Sequence, residues 1–272
     1  MIGKIPKVKT KDLLSVTDFS KEEMIAIFEY TKKMKDELNQ GKTHNFLKGK
    51  TLGMIFEKTS TRTRVSFEVA MFQLGGYALF LSRDDIQLGR GETVGDTARV
   101  LSRYLDGIII RCYAHTTALE LAENATIPVI NGLTDTFHPC QALADFYTIY
   151  ERNKNFKNEK LAFVGDGNNV AQSLMLTAAM LGVNFALACP KGYYPAKNVV
   201  EMAFSIASKS GSVITLTGDI AMAVEQATYL YTDVWVSMGQ EKEASRRRKD
   251  FAKYKITMKI LDKCAPNCKV MH

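Results

Sequence analysis

The sequence contains little cysteine and no long apolar run. Five cysteines are scattered over 272 residues, an odd number that fits reduced thiols better than a disulfide framework. No window approaches the ~18 consecutive apolar residues that a membrane span needs. The basic start of the sequence is not followed by an apolar segment, so no secretory signal is expected. These absences favour a cytoplasmic protein that does not bind a membrane.

The charge balance is positive and would suit an anionic partner. Lysine and arginine total 36 against 29 aspartate and glutamate, which leaves a net charge of +7. Such a surplus attracts nucleic acid, membrane surfaces or small anions. The densest basic run, residues 246–249, lies in a helix-like stretch in which Glu243 precedes Arg247 by one turn. We interpret it as a solvated helix face, and no nucleic-acid partner is expected because aromatic residues do not interleave with it.

Two further segments resemble cofactor sites but are incomplete. Cys264, Cys268 and His272 have spacings that a zinc site could use, yet no fourth ligand lies near, so no metal is expected. The run Gly165-Asp-Gly-Asn-Asn169 resembles a dinucleotide-binding turn. Its third glycine is replaced by Val170, and the next strand ends without the acidic residue that holds a ribose. We interpret the run as a tight turn that presents two amide side chains to a polar ligand.

Apolar strands and amphipathic helices alternate along almost the whole chain. The predicted strands are residues 51–56, 77–81, 107–111, 128–131, 160–165, 184–189, 212–217 and 229–236. A capping box at Ser20 and Glu23 begins the first helix, and a long helix is predicted from Pro139 to about Arg152. This alternation predicts an α/β fold of two doubly wound domains with parallel sheets, joined by the long helix. The predicted boundaries are 1–134, 135–152 for the helix, and 153–272.

Polar side chains cluster where the predicted strands end. Ser60-Thr61-Arg62-Thr63-Arg64 combines three hydroxyls and two guanidiniums at a helix start, where free backbone N–H groups complete a phosphate-binding set. Arg111 follows a buried-looking apolar run, where an unpaired charge would be costly. His138 and Gln141 lie one helical turn apart. Because ligands bind beyond the carboxyl ends of parallel strands, the sequence predicts a site for phosphate beside a polar carbonyl.

The order of these motifs resembles that of the ornithine carbamoyltransferases. The likeness covers the chain from the first helix to the end and rests on residues 60–63, 111, 138–141, 165–169 and 233–241. The related aspartate carbamoyltransferases share the Ser-Thr-Arg-Thr and His-Pro-x-Gln elements but lack the Asp-x-Trp-x-Ser-Met-Gly element. The resemblance implies transfer of the carbamoyl group of carbamoyl phosphate to the side-chain amine of L-ornithine, giving L-citrulline and phosphate. It also implies a homotrimer with shared sites and no cofactor.

The resemblance assigns a role to each matched residue. The residues implied to bind carbamoyl phosphate are Ser60, Thr61, Arg62, Thr63, Gln87, Arg111, His138 and Gln141. Those implied to hold ornithine are Asn169, Asp233, Ser237 and Met238. The implied catalytic residues are Arg111, His138, Gln141 and Asp233. The charged loop 82–87 is the candidate for reaching a neighbouring copy.

The sequence departs from the family pattern at its end. Family chains continue with Cys-Leu-Pro and a final helix, whereas this sequence stops at His272, immediately before that cysteine. The expectation is therefore an ornithine-binding domain whose C-terminal end is missing, either because the sequence is shortened or because the protein is truncated.

Two alternatives to this activity stay open. One is a carbamoyltransferase for a related amine, such as putrescine or an acylated ornithine, although the Ser237-Met238-Gly239 run favours free ornithine. The other is a non-catalytic binding relative. The intact phosphate, His138 and Asp233 motifs argue against that second alternative.

Overall fold

The computed structural model describes residues 7–236 and 241–272. The chain divides into two compact units, with the border between Tyr147 and Thr148. Each unit is built on one parallel sheet with intervening helices, which confirms the predicted α/β fold with two doubly wound domains. Within the described ranges, no helix is long and apolar enough to cross a membrane.

The first unit contains four parallel strands in the order β2-β1-β3-β4. The strands are β1 (Thr51–Phe56), β2 (Tyr77–Ser82), β3 (Gly107–Arg111) and β4 (Val129–Leu133). The helices are α1 (Lys21–Asn39), α2 (Thr61–Gln73), α3 (Val94–Leu101), α4 (His115–Asn124) and α5 (Pro139–Asn153), the last of which crosses the border between the units. Strands β1 and β3 are almost entirely buried, as expected of central strands covered on both faces. The strand order reverses between them, and this is where ligands bind in such sheets.

The second unit contains five parallel strands in the order β7-β6-β5-β8-β9. The strands are β5 (Lys160–Val164), β6 (Asn184–Ala188), β7 (Ile214–Thr217), β8 (Tyr229–Tyr231) and β9 (Lys269–Met271). The helices are α6 (Asn169–Leu181), α7 (Lys197–Ser210), α8 (Ile220–Val224), α9 (Ala244–Asp250) and α10 (Met258–Leu261). Here the order reverses between β5 and β8, so the segments that follow these two strands meet at the ligand-binding edge.

The predicted strand 229–236 is wrong beyond Tyr231, where β8 ends. Thr232 still bonds to the sheet, since its N–H donates to the Met271 carbonyl at 3.1 Å and its hydroxyl donates to the Val164 carbonyl at 2.9 Å. Further along, the Trp235 carbonyl accepts from Arg247 Nε at 2.5 Å. Residues 233–236 therefore follow the end of β8, and Trp235 is bonded there to α9. Strand β9 was not predicted, because three residues at the end of the sequence carry little periodic signal.

The interpretation of the basic run 246–249 as a solvated face is wrong for one residue. Arg246 and Arg248 are exposed, but Arg247 is only 4% exposed and its Nη2 is ion-paired with the buried Asp166 carboxylate. The guanidinium also lies over the Tyr193 ring, 4.8 Å from its centre. The predicted contact with Glu243 is present at 3.6 Å. Arg247 therefore ties α9 to the turn after β5 and, through Trp235, to the segment after β8.

Replacing Arg247 with methionine should destabilise the second unit strongly. The change leaves the Asp166 carboxylate buried without its partner, which costs about 3–5 kcal/mol in the free energy of unfolding. The matched control is Arg248→Met on the exposed side of the same helix, which should change that free energy by less than about 0.5 kcal/mol. Trp235 is the single tryptophan, so urea unfolding followed by its fluorescence reports on this unit. Equal midpoints for the two variants would contradict the assigned role.

Candidate active site

The first polar cluster forms where β1 and β3 end side by side. Phe56 at the end of β1 pairs with Arg111 at the end of β3. Ser60 then caps α2, and its hydroxyl oxygen accepts from the Thr63 N–H at 3.3 Å and donates to Thr63 Oγ1 at 3.0 Å. Arg111 Nη1 donates to the same Thr63 oxygen at 3.4 Å. The structure thus brings Ser60, Thr63 and Arg111 together at the reversal point of the strand order.

The Arg111 guanidinium places positive charge in a buried environment that little water reaches. Its side chain is 6% exposed, and its buried Nε has no hydrogen-bond partner among the described residues. Burial and the positive charge of Arg62 lower the pKa of Arg111 to about 10, so the guanidinium stays charged at neutral pH. A buried cation with an unused donor and a second cation nearby is stabilised by a bound anion.

Lys58 belongs to the same cationic group, and the sequence reasoning missed it. The side chain is 8% exposed, and its ammonium lies 4.2 Å from the centre of the Tyr113 ring. Burial, followed by the charge of Arg111, lowers the pKa of Lys58, while Asp135 opposes the shift. Its position between the apolar strand β1 and the hydroxyl-rich run 60–64 was the available signal. A lysine at that position follows a buried strand and precedes a helix start that carries hydroxyls.

His138 and Gln141 lie at the start of α5, as predicted. Burial and the positive charge of Arg111 lower the pKa of His138 to about 3. The imidazole is therefore neutral at physiological pH and can donate one hydrogen bond without carrying charge. Gln141 Nε2 donates to Asp145 Oδ1 at 3.1 Å, one helical turn further along, and this bond orients the carboxamide.

Three of the predicted residues are more exposed. Thr61 and Arg62 lie on the exposed first turn of α2, where Arg62 acts on Arg111 through its charge. Gln87 lies exposed in a short 3₁₀ turn after β2, the edge strand of the sheet. Among the described residues, no hydrogen bond connects the Gln87 side chain with Ser60, Thr63 or Arg111.

The second polar cluster lies in the other unit, after β5 and β8. Asn168 caps α6 by accepting from the Val170 N–H at 3.0 Å, and its Nδ2 donates to Asp233 Oδ2 at 3.4 Å. Gly167 permits this tight turn, because a Cβ there would lie 2.5 Å from the Tyr193 carbonyl oxygen. Asp233 is half-buried, and within residues 7–236 and 241–272 its carboxylate is held by an amide rather than by a cation.

The remaining predicted residues of this unit divide into two groups. Asn169 is the half-buried first residue of α6, and its Oδ1 lies 3.0 Å from the Val170 N–H. Ser237 and Met238 lie outside the described residues. Burial raises the pKa of the Asp166 carboxyl, with Arg247 opposing that shift. The cluster therefore presents carboxylate and amide groups, which suit a ligand that carries an ammonium group.

We predict that His138 will not titrate between pH 5 and 8. Its pKa of about 3 lies below the ordinary value of 6.5, so between these values the unfolded chain binds one more proton at this residue. The contribution of His138 to the free energy of unfolding therefore falls as the pH is lowered through that window. NMR of ¹⁵N-histidine-labelled protein should show a neutral His138 ring at pH 5. A titration midpoint near 6.5 would contradict the burial beside Arg111.

The comparisons with known proteins cover both units. Residues 11–151 match the family model described as "Aspartate/ornithine carbamoyltransferase, carbamoyl-P binding domain". Residues 157–272 match the model described as "Aspartate/ornithine carbamoyltransferase, Asp/Orn binding domain". The first polar cluster thus lies within the first match and the second cluster within the second.

Individual relatives resemble nearly the whole chain. An ornithine carbamoyltransferase of Oceanobacillus iheyensis is 50% identical over 266 residues, which are 98% of this chain and 83% of the relative. The solved structure of the Pyrococcus furiosus ornithine carbamoyltransferase has a TM-score of 0.93 at 50% identity and covers 96% of this chain and 84% of its own. The anabolic ornithine carbamoyltransferase of Campylobacter jejuni has a TM-score of 0.91 at 42% identity, with coverages of 97% and 86%. With both units matched, the chain belongs to the aspartate/ornithine carbamoyltransferase family.

Proposed function

We propose that this protein transfers the carbamoyl group of carbamoyl phosphate to the side-chain amine of L-ornithine, forming L-citrulline and phosphate. The observation that carries this proposal is the buried Arg111 guanidinium. Its Nη1 donates to the Thr63 hydroxyl at the start of α2, and its Nε has no hydrogen-bond partner among the described residues. The family membership and the ornithine carbamoyltransferases at about 50% identity support the same reaction.

The phosphate of carbamoyl phosphate binds at the first turn of α2. Ser60, Thr61 and Thr63 supply hydroxyls there, and the helix start supplies backbone N–H groups. Arg62 adds a guanidinium, which forms shorter and stronger hydrogen bonds to phosphate oxygens than a neutral donor does. Lys58 lies close enough to Arg111 for their charges to act on each other, and it raises the positive potential at this end of the sheet.

The carbonyl of carbamoyl phosphate faces Arg111 and His138. Attack by an amine places negative charge on the carbonyl oxygen, and the charge then passes to the leaving phosphate. The Arg111 cation and a hydrogen bond from the neutral His138 ring stabilise the first charge, while Arg62 and the hydroxyls stabilise the second. Gln141, oriented by its bond to Asp145, contacts the carbamoyl amide. The amine nitrogen bonds to the carbamoyl carbon, and the bond from that carbon to the phosphate oxygen then breaks, so that phosphate leaves and the former amine gives up a proton. The attacking amine must be neutral, because only then is its lone pair free to form the bond.

Ornithine binds in the second unit. Asp233 and Asn169 hold its amino-acid end, and we assign Ser237 and Met238 to the same subsite. The main role of Asp233 is to orient the substrate, because its carboxylate faces the ammonium at the amino-acid end and not the reacting amine. Holding both substrates in reacting geometry supplies much of the remaining acceleration.

The decisive assay measures carbamoylated product from a panel of amines. With carbamoyl phosphate as donor, ornithine should give citrulline, while putrescine and an N-acylated ornithine should react far more slowly. A preference for putrescine would show that the family assignment holds but the acceptor differs. Absence of product with every amine would favour a non-catalytic relative.

We also propose a biosynthetic role and a cytoplasmic location. Two relatives, those of Pyrococcus furiosus and Campylobacter jejuni, are named anabolic, which supports arginine synthesis as the direction of use. All five cysteines are free, which fits a reducing compartment.

Replacing Arg62 with alanine should weaken carbamoyl phosphate binding severely. A lost hydrogen bond to a charged group costs roughly 1.5–3 kcal/mol, and a phosphate held away from water loses more. Isothermal titration with carbamoyl phosphate measures the loss directly. The matched control is Arg103→Ala, another exposed arginine of the first unit, which should leave the affinity unchanged. Equal affinities for both variants would show that the phosphate lies elsewhere.

Replacing Asp233 with asparagine should raise the KM for ornithine far more than the KM for carbamoyl phosphate. The substitution keeps the size of the side chain but removes the negative charge that faces a cationic amino acid. The expected rise is at least about tenfold, the effect of roughly 1.4 kcal/mol. Steady-state kinetics with each substrate varied in turn gives the two constants. Equal losses for both substrates would point to a folding defect instead.

The oligomer that we propose is a homotrimer with shared sites. Helix α2 exposes an apolar stripe of Val65, Val69 and Phe72, the last 82% exposed, and Tyr77 on the edge strand β2 is 64% exposed. Such a continuous apolar face beside a sheet edge fits burial against a further copy of the chain. Gln87 follows the same edge strand, so its exposed side chain is available to the site of a neighbour.

Light scattering should give three times the chain mass of 30.4 kDa. Phe72→Glu should shift the protein toward the monomer, because the interface would then bury an unpaired charge. Met258→Glu, at a side chain of the second unit that is 70% exposed, should leave the mass unchanged. A monomeric wild-type protein at assay concentrations would refute shared sites.

A further inference from the structure

We propose that His115 is a positioning residue for His138 and acts through Thr134 and the turn that precedes His138. This inference rests on the proposed function, since it concerns the group that meets the carbonyl oxygen. His115 does not touch the substrate. Its effect on the reaction is exerted on the backbone that carries the His138 ring.

His115 is joined to the segment after β4 by two hydrogen bonds. Its ring Nδ1 lies 3.1 Å from Thr134 Oγ1, and its backbone N–H donates to Asp135 Oδ1 at 3.1 Å. His115 is also the first residue of α4. The helix that follows β3 is therefore fastened, at its first residue, to the segment that leads from β4 into the site.

Thr134 closes the turn that precedes His138. Its N–H donates to the Phe137 carbonyl at 2.9 Å, and its hydroxyl oxygen accepts from the Phe137 N–H at 3.2 Å. Thr134 is fully buried, at 0% exposure. Thr134 thus bonds both backbone polar groups of Phe137, the residue directly before His138, one through its own N–H and the other through its hydroxyl, and His115 Nδ1 contacts that hydroxyl.

The His115 ring also packs against the same residue. The His115 and Phe137 ring centres lie 5.1 Å apart with an angle of 87° between the planes, an edge-to-face contact. From the other side, Asn131 Nδ2 lies 3.5 Å from the Phe137 carbonyl oxygen. Phe137 is held on its backbone and on its ring, which leaves the His138 backbone little freedom. An imidazole that must meet a developing negative charge needs such fixed surroundings.

Isosteric substitutions separate this role from simple packing. The carboxamide of His115→Asn places a donor or an acceptor where Nδ1 lies and can restore the bond to Thr134. His115→Leu fills much of the same space but removes the bond. Thr134→Val and Thr134→Ser make the matching pair on the partner, since only serine keeps the hydroxyl.

We expect kcat to fall in the variants that lose the hydrogen bond between residues 115 and 134 and to be retained in the variants that keep it. His115→Leu and Thr134→Val should each lower kcat by about 10- to 100-fold, the cost of a small misplacement of a reacting group. The KM for ornithine should stay within about twofold, because Asp233 and its neighbours are untouched. His115→Asn and Thr134→Ser should keep kcat within about threefold of the wild type. Melting temperatures measured in parallel identify a variant that is merely unstable.

A second readout does not depend on turnover. The chain has only four histidines, so the ¹⁵N-histidine NMR signals of His138 can be assigned with single substitutions. These signals should move in His115→Leu and Thr134→Val and stay in place in His115→Asn. If they stay in place in His115→Leu, or if folded His115→Asn loses as much kcat as His115→Leu, the inference is overturned. A wild-type protein that forms no citrulline would refute the proposed function, and the NMR comparison would still decide the inference.

Discussion

Arg111 carries a guanidinium into a place from which water is almost excluded, at the end of the central strand β3. No carboxylate within hydrogen-bonding distance neutralises it in the described part of the chain; its contact is the Thr63 hydroxyl. Burial, together with this charge, keeps the His138 ring neutral and lowers the pKa of the Lys58 ammonium. Burying cations together weakens a fold in the absence of an anion, and such a local conflict is characteristic of a functional site.

In the second unit, the buried arginine is paired, and the group without an ionic partner is a carboxylate. There a buried arginine, Arg247, is paired with Asp166 and hydrogen-bonded to a backbone carbonyl, so its charge is used to hold segments in place. The carboxylate at the strand end, Asp233, is left with only an amide partner in the described part of the chain. One unit therefore has unmatched positive charge and the other has a carboxylate not paired with a cation. These are complementary to an anionic donor and a cationic acceptor respectively.

Much of the fold can be predicted from the periodicity of apolar residues and from helix-capping residues in the sequence. The buried strands 51–56 and 107–111 and the capping box at Ser20 agree with the structure because local rules and tertiary packing favour the same conformation there. The end of β8 could not be predicted from strand propensity, since Trp235 is hydrogen-bonded to Arg247, which lies 12 positions further along the chain. Arg247 itself looked like a surface charge, because its partner Asp166 lies 81 positions away. Among the site residues, the motifs named Arg111 and His138. The position of Lys58 in the sequence was a weaker signal, and His115 becomes visible only when its packing is known.

The hydrogen bond between Arg111 and Thr63 joins residues 48 positions apart, and it depends on β1 and β3 pairing in register. Contacts of such sequence separation form late, since the loop-closure entropy of the intervening chain must be overcome first. A partly folded chain in which β1 and β3 have not yet paired lacks the geometry that we propose for phosphate binding. Anion affinity therefore arises only with the completed sheet, and by mass action a bound phosphate ester favours the folded chain over every partly folded form. The donor substrate is in this sense also a ligand that protects the first unit against unfolding.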